Sequence, residues 1–383
     1  MTTTVVTAAA EPASRPVSRL LPVVGSAWAR RAAFVAFAAV IWFLPDLLLD
    51  GSSDIRLWAE FLCYATLAIG ADIAWGYGGM LVLGQGVFFG IGAYCMAMYL
   101  SLANMPDGSE LPSFMSLYSD FDTLPWLWRP FDNLAVTLFL AVVIPVAIAS
   151  GLGLLVFTRR VRGPYFALLT QATALVFTLI LIGNLPLTAG FNGLTDFTIV
   201  FGRNKYEDGT NLWLYRVAAG VLFAVLAGAL ILVRSRFGRL LVAVRDGEER
   251  VRFLGYNPAV IKTIGFATSA GIAGIAGAMA APIIGIVAPN QFGIVPSILV
   301  VCWVAVGGRG TLWGAVLGAL AVNWLRDTVS SARPDDWQYV QGGLFIVVLA
   351  FAPGGLVGIV RSVRTRIVAW RSTSASAPAG VES

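Results

Sequence analysis

Residues 234–262 read RSRFGRLLVAVRDGEERVRFLGYNPAVIK, a charged island between two long apolar runs. The island holds seven of the 26 basic residues (Arg234, Arg236, Arg239, Arg245, Arg250, Arg252 and Lys262) with Asp246, Glu248 and Glu249, in a chain of which only 12% is charged. A hydrocarbon interior does not accept such a segment. Val242, Val244, Val251, Phe253 and Leu254 recur among the charges at helix-compatible spacing, which predicts one or two short amphipathic helices at a membrane surface. The island is too polar to span, and its flanks are too apolar to be anything but spans.

Outward from the island the same contrast repeats. Apolar runs fall at about 32–49, 57–75, 80–103, 133–157, 164–184, 212–233, 260–284, 294–308, 311–325 and 338–357. At ~1.5 Å per residue the run at 212–233 reaches ~33 Å, enough for a hydrocarbon core of ~30 Å. The expectation is an all-α polytopic membrane protein with about ten transmembrane helices, the runs at 294–308 and 311–325 being short enough to be tilted, broken or re-entrant. Placing the N-terminus inside puts 19 of the 26 Lys and Arg residues on the cytoplasmic side, so both termini are expected there. The domains expected are a disordered cytoplasmic tail at 1–31, an uncleaved transmembrane domain at 32–358 that includes the cytoplasmic segment 234–262, and a cytoplasmic tail at 359–383. The longest outer loop is acidic, with Asp107, Glu110, Asp120, Asp122 and Asp132, and carries Trp126 and Trp128 as interfacial anchors.

Composition narrows the function. A hydrophobic share of 58% with half the usual ~25% of charge excludes an ordinary soluble domain. The net charge of +5 comes from arginines in short loops, where topology accounts for them, so nucleic acid is not an expected partner while membrane lipid is. Cys63, Cys95 and Cys302 sit singly in apolar runs, without metal-ligand or disulfide spacing. With no histidine in the chain, imidazole chemistry is absent too. Neither catalytic nor metal-binding residues are expected.

Three clusters carry the remaining signal. In GYGGMLVLGQGVFFGIGAY, residues 76–94, glycines at 84, 86, 90 and 92 allow close helix packing, whereas 76–79 can break a helix beside a pathway with Gln85 as a lining side chain. Both readings stand at this level. Asp72 is a carboxylate within an apolar run, functional by default in a membrane, yet close enough to the inner end of its span to reach the interface. GFNGLTDF, residues 190–197, is an outer turn or a set of neutral hydrogen-bonding groups at an outer mouth, and GGRGT at 307–311 is a tight inner turn with Arg309.

These stretches, with PYFALLTQA at 164–172, AVRDGEERVRFLGYNP at 243–258 and AVGGRGTLWGAVLGAL at 305–320, resemble in order and spacing the LivM-like permease family of branched-chain amino acid and urea ABC importers; the urea importer's second permease, the UrtC type, is nearest in pattern. The resemblance covers about residues 57–358. It implies a transport subunit with no enzyme activity or cofactor of its own, which works with a homologous second permease, two cytoplasmic ATPases that bind ATP and Mg²⁺, and an external or periplasmic solute-binding protein, all at a bacterial inner membrane. The absence of a GxxxxGK[ST] sequence agrees. Residues 244–258 match the family's coupling segment, where Arg245, Glu248, Glu249, Arg250, Arg252 and Gly255 are expected to meet the ATPase. Relatives commonly carry Ser-Leu-Gly-His-Gly where this chain has Val82-Leu-Gly-Gln-Gly, so a hydroxyl and an imidazole are replaced.

The function expected is uptake of urea, with branched-chain amino acids or short-chain amides as the alternative within the family. Tyr77, Gln85, Gln171, Asn192 and Thr195 are the candidate pathway residues, amides and hydroxyls suited to a neutral solute. A rival of another class is an ion-coupled secondary transporter, which would make Asp72 essential.

Overall fold

A backbone crossing hydrocarbon must satisfy its N–H and C=O groups internally, which leaves helices or closed barrels. The computed structural model describes residues 27–48, 51–105, 108–118, 121–159, 163–207, 209–332 and scattered positions from 339 to 358, and every expected apolar run on the continuous segments contains a long helix. Most of the expected span at 338–357, the tails at 1–26 and 359–383, and Asp107, Asp120, Arg160 and Arg162 lie outside the described residues.

The chain divides into two compact units, residues 1–44 and 45–383. Helix α1 (Ala27–Leu48) supplies most of the described part of the first, and starts at Ala27 rather than at the expected residue 32. The second unit contains α2 (Ser52–Asp72), continued by a π-helical turn over Ile73–Tyr77, then α3 (Gln85–Ala103), the short α4 (Ser113–Tyr118), α5 (Leu134–Thr158) and α6 (Pro164–Gly183). The short α7 (Leu185–Thr188) leads to a two-stranded hairpin, β1 (Ile199–Val200) against β2 (Arg203–Asn204). Then follow α8 (Thr210–Arg234), α9 (Arg236–Phe253), α10 (Pro258–Ile284), α11 (Ile294–Gly307) and α12 (Leu312–Ala332). Seven helices among the described residues are long and apolar enough to cross a membrane, the one ending in α11 being counted from Pro289.

Burial sorts these helices into centre and rim. In α2, α3 and α10 the most apolar stretch is 78–89% buried, against 28% in α5, α6 and α8, whose outer faces are apolar and exposed as lipid-facing surfaces are. Small residues permit the central packing. A Cβ on Gly92 of α3 would strike the carbonyl of Gly274 in α10, so the two backbones touch directly. Lipid is as apolar as leucine, and such close van der Waals contact is what distinguishes helix from lipid as a neighbour.

Two helices differ from the hydropathy pattern. The run expected at 80–103 becomes helical only at Gln85, because the chain leaves the π turn at Gly78 and stays non-helical to Gly84. Here hydropathy reports burial, not helicity: Met80 and Val82 are buried, and the Leu83 N–H donates to Thr170 Oγ1 of α6 at 3.1 Å. Gln85 at the start of α3 bonds to Ser269, which lies eleven residues, ~17 Å, into α10, so α3 begins deep within the bundle. Conversely, α12 continues past residue 325, since Asn323, Thr328 and Ser331 bond back to carbonyls four residues earlier and their polarity does not interrupt the helix.

Candidate functional site

Most of the charged island folds as α9, with Arg234 ending α8 and residues 258–262 opening α10, and Gly247 divides α9 into two helical pieces with a non-helical backbone between them. Ser235 caps its start, accepting from the Gly238 N–H at 3.3 Å. Of the apolar residues spaced along the island, Val244 and Val251 are buried with Leu241, whereas Phe253 is 90% and Leu254 75% exposed. Gly255, in the left-handed region at φ 87°, ends the helix beside the exposed Tyr256. One face of the island packs on the bundle. Its tip offers apolar side chains to solvent.

The face that packs is bolted to the broken end of α2. Arg245 Nη1 donates to the Gly76 carbonyl at 2.6 Å, while Arg245 Nε donates to Asp246 at 2.8 Å, which holds the guanidinium in place. The α11–α12 turn makes a matching contact. Arg309 Nη2 donates to the Trp75 carbonyl at 3.2 Å with its guanidinium 5.0 Å from the centre of the Trp75 ring, and the Gly310 N–H donates to Asp72 Oδ1 at 2.7 Å. A helix end leaves carbonyls without intrahelical partners and carries partial negative charge, so two guanidinium groups are well matched to it. Gly76 is required there, because a Cβ would strike the Asp72 carboxylate and come within 2.5 Å of the Gly310 amide.

Electrostatically this is a compact cluster. The Asp72 carboxylate lies in the field of both Arg309 and Arg245. Burial, then the neighbouring Arg245 charge, lowers the Arg309 pKa from its ordinary value, and Asp72 partly offsets both. Breaking one partner of such a cluster leaves a charge poorly compensated.

The other sequence-selected residues distribute as follows. Glu248 bonds to Lys262 at 2.7 Å and to Arg252 at 3.4 Å, tying α9 to the start of α10, while Glu249 pairs with Arg252 at 3.2 Å. Arg250 is exposed beside the tip. Tyr77 is half-buried at the end of the π turn, and Gln171 is half-buried on α6. Gln85 is fully buried, its Nε2 donating to Ser269 Oγ at 2.9 Å. Asn192 and Thr195 are exposed at the far end of the bundle, in the loop whose Leu194 pairs with Val287. The structure thus gathers Arg245 with Asp72 and Arg309, and spreads the candidate pathway residues over the depth of the molecule. Sequence reasoning assigns Arg309 to topology alone and leaves Asp72 open. The available hint is an arginine within a glycine-rich turn, and nothing local names its partner.

The model of the branched-chain amino acid transport system permease component matches residues 55–349. The chain belongs to this permease family. The permease is 28% identical over 345 residues to the high-affinity branched-chain amino acid transport system permease protein LivM of Salmonella typhimurium, covering 84% of this chain and 73% of the relative. It is 25% identical over 300 residues to BraD, the corresponding protein of Pseudomonas aeruginosa, covering 77% of this chain and 91% of the relative. The autoinducer 2 import system permease protein LsrC of Yersinia enterocolitica is also similar, at 26% over 269 residues, 64% of this chain and 73% of the relative. No solved structure matches. The permease is a multi-pass inner-membrane transport subunit of the ABC importer type.

Proposed function

We propose that this permease carries branched-chain amino acids, in an importer completed by a homologous second permease, two cytoplasmic ATPases that bind ATP and Mg²⁺, and an external solute-binding protein. The observation that carries the mechanism is the Arg245 to Gly76 bond, because it joins the island to a break in a central span. On this reading the island end is cytoplasmic, in line with its basic charge. The ATPase docks on Phe253, Leu254 and Tyr256 with Glu249 and Arg250 around them. When ATP draws the ATPases together, α9 moves, the arginine pulls on the Gly76 carbonyl, and the unwound segment from 78 to 84 shifts against α6 and α10. Docking energy thereby biases a two-state element between outward and inward access. No bond in the solute changes.

Gln85 stands where that unwound segment meets α3, at the opposite end from Tyr77. Tyr77 would line the inner approach, Asn192 and Thr195 the outer mouth, and Gln171 the flank on α6. Urea is the second reading, supported by the motif pattern from 76 to 94 and by the neutral amides and hydroxyls among these residues. Uptake of labelled leucine and of labelled urea into vesicles holding the complete importer, with and without ATP, decides between them. ATP-dependent leucine uptake supports the reading, ATP-dependent urea uptake indifferent to leucine moves the substrate, and uptake without ATP refutes the mechanism.

A further inference from the structure

Between α2, α3, α11 and α12 lies a cavity of about 640 Å³, whose walls include Leu67, Phe89, Leu299 and Trp303 and which two opposite charges, Glu60 and Arg326, also line. Both charges sit on helices of the bundle, Glu60 eight residues or ~12 Å after Ser52 and the exposed Arg326 six residues or ~9 Å before the end of α12 at Ala332. A charge on a spanning helix is costly unless it faces a cavity, a partner or the interface. Among the described residues no direct ion pair joins Glu60 to Arg326. Glu60 is positioned: the Tyr64 hydroxyl donates to its Oε1 at 2.6 Å, and the Tyr64 ring lies 5.1 Å from that of Trp303.

We propose that Glu60 and Arg326 form a subsite that reads the two poles of a zwitterion, with the apolar and aromatic wall accepting the side chain of an aliphatic α-amino acid. The inference rests on the amino-acid reading above and adds the residues that would enforce it. A carboxylate accepts from an ammonium group and a guanidinium donates to a carboxylate in charge-assisted bonds, so a free α-amino acid satisfies both charges at once. A neutral amide such as urea compensates neither. The volume falls within the range of small-molecule sites and leaves room for water beside a leucine-sized solute.

The test is protection from a thiol reagent. Val295 lines the cavity and is 66% exposed, whereas the native Cys63, Cys95 and Cys302 are buried, so Val295→Cys provides a reporter. In the complete importer with its binding protein and ATP, excess leucine is expected to slow labelling by a charged methanethiosulfonate roughly tenfold and urea to have no effect. Glu60→Gln and Arg326→Gln are each expected to abolish that protection and to lower leucine uptake by a similar factor. A merely structural role for Glu60 would lower thermal stability and leave protection intact. Undiminished protection in both variants overturns the proposal, as does a reporter that does not react in the assembled importer because a partner subunit fills the cavity. A wild-type importer that takes up urea and not leucine removes instead the reading on which the subsite depends.

Discussion

Replacing Arg245 with alanine would cut the island's bond to the broken end of α2 without touching the island's exposed surface. The substitution deletes a charge-assisted bond of 2.6 Å made by a side chain that is 25% exposed. Hydrogen bonds to charged groups contribute ~1.5–3 kcal/mol, and partial exposure favours the lower part of that range, ~1.5–2 kcal/mol. The change also relieves repulsion between Arg245 and Arg309, which offsets part of the loss. Since ~1.4 kcal/mol is a factor of ten, the preference of the spans for the state that the ATPases select should fall by roughly 10–30-fold at most. The assay is leucine taken up per ATP hydrolysed in reconstituted vesicles, alongside the ATPase rate with and without loaded binding protein. ATP hydrolysis should persist while uptake per ATP falls. Arg245→Lys should lie between the two, because a lysine keeps the charge but cannot hold Asp246 and the Gly76 carbonyl in one planar fork. An alanine variant that imports with wild-type stoichiometry would refute the coupling role.

Three further outcomes follow from the same structure. Phe253→Ala with Leu254→Ala removes side chains that are 90% and 75% exposed, so the thermal midpoint of the isolated permease should not move, while co-purification of the ATPase should weaken. At about half burial of each side chain on docking the loss is ~2 kcal/mol, roughly thirtyfold in affinity, and undiminished capture would sink the docking surface. Asp72→Asn keeps an oxygen for the Gly310 amide but removes the negative charge near Arg245 and Arg309, so uptake should drop a few-fold, still need ATP and ignore a protonophore; a protonophore-sensitive, ATP-independent activity that vanishes in this variant would favour the ion-coupled rival. Gly92→Leu should destabilise the bundle by ~1–3 kcal/mol or more through overlap with the Gly274 carbonyl, lowering the thermal midpoint and the yield of assembled importer, and an active variant of normal stability would contradict the close α3–α10 contact.

Much of this anatomy is legible in the linear chain. Hydrophobic length marks the helices because burying unpaired backbone polar groups in lipid is prohibitive, and the island stands out because charge is equally unwelcome there. The glycine cluster admits packing or a broken helix, and the structure assigns each to different residues: Gly92 lies against α10, whereas helix ends at residues 76–79, where the π turn over Ile73–Tyr77 gives way to non-helical chain. Hydropathy misplaces the start of α3, since buried non-helical residues such as Met80 and Val82 score as a span does. It also ends α12 too early at Asn323 to Asp327, where intrahelical bonds carry the helix through polar residues.

The sequence by itself determined that the protein is a helical membrane protein, where most of its helices lie, and that the charged stretch between α8 and α10 is not itself a span; each follows from transfer free energies that neighbouring residues set together. Only the tertiary structure decided what that segment holds. Arg245 reaches a carbonyl 169 residues away, and the Gly310 amide reaches a carboxylate 238 residues away. Such partners are chosen by which helix ends converge, and that depends on close backbone contacts among central helices rather than on the polarity of either stretch. For the same reason Glu60 and Arg326, unremarkable in the chain as two isolated charges, acquire a joint meaning only where α2 and α12 face one cavity.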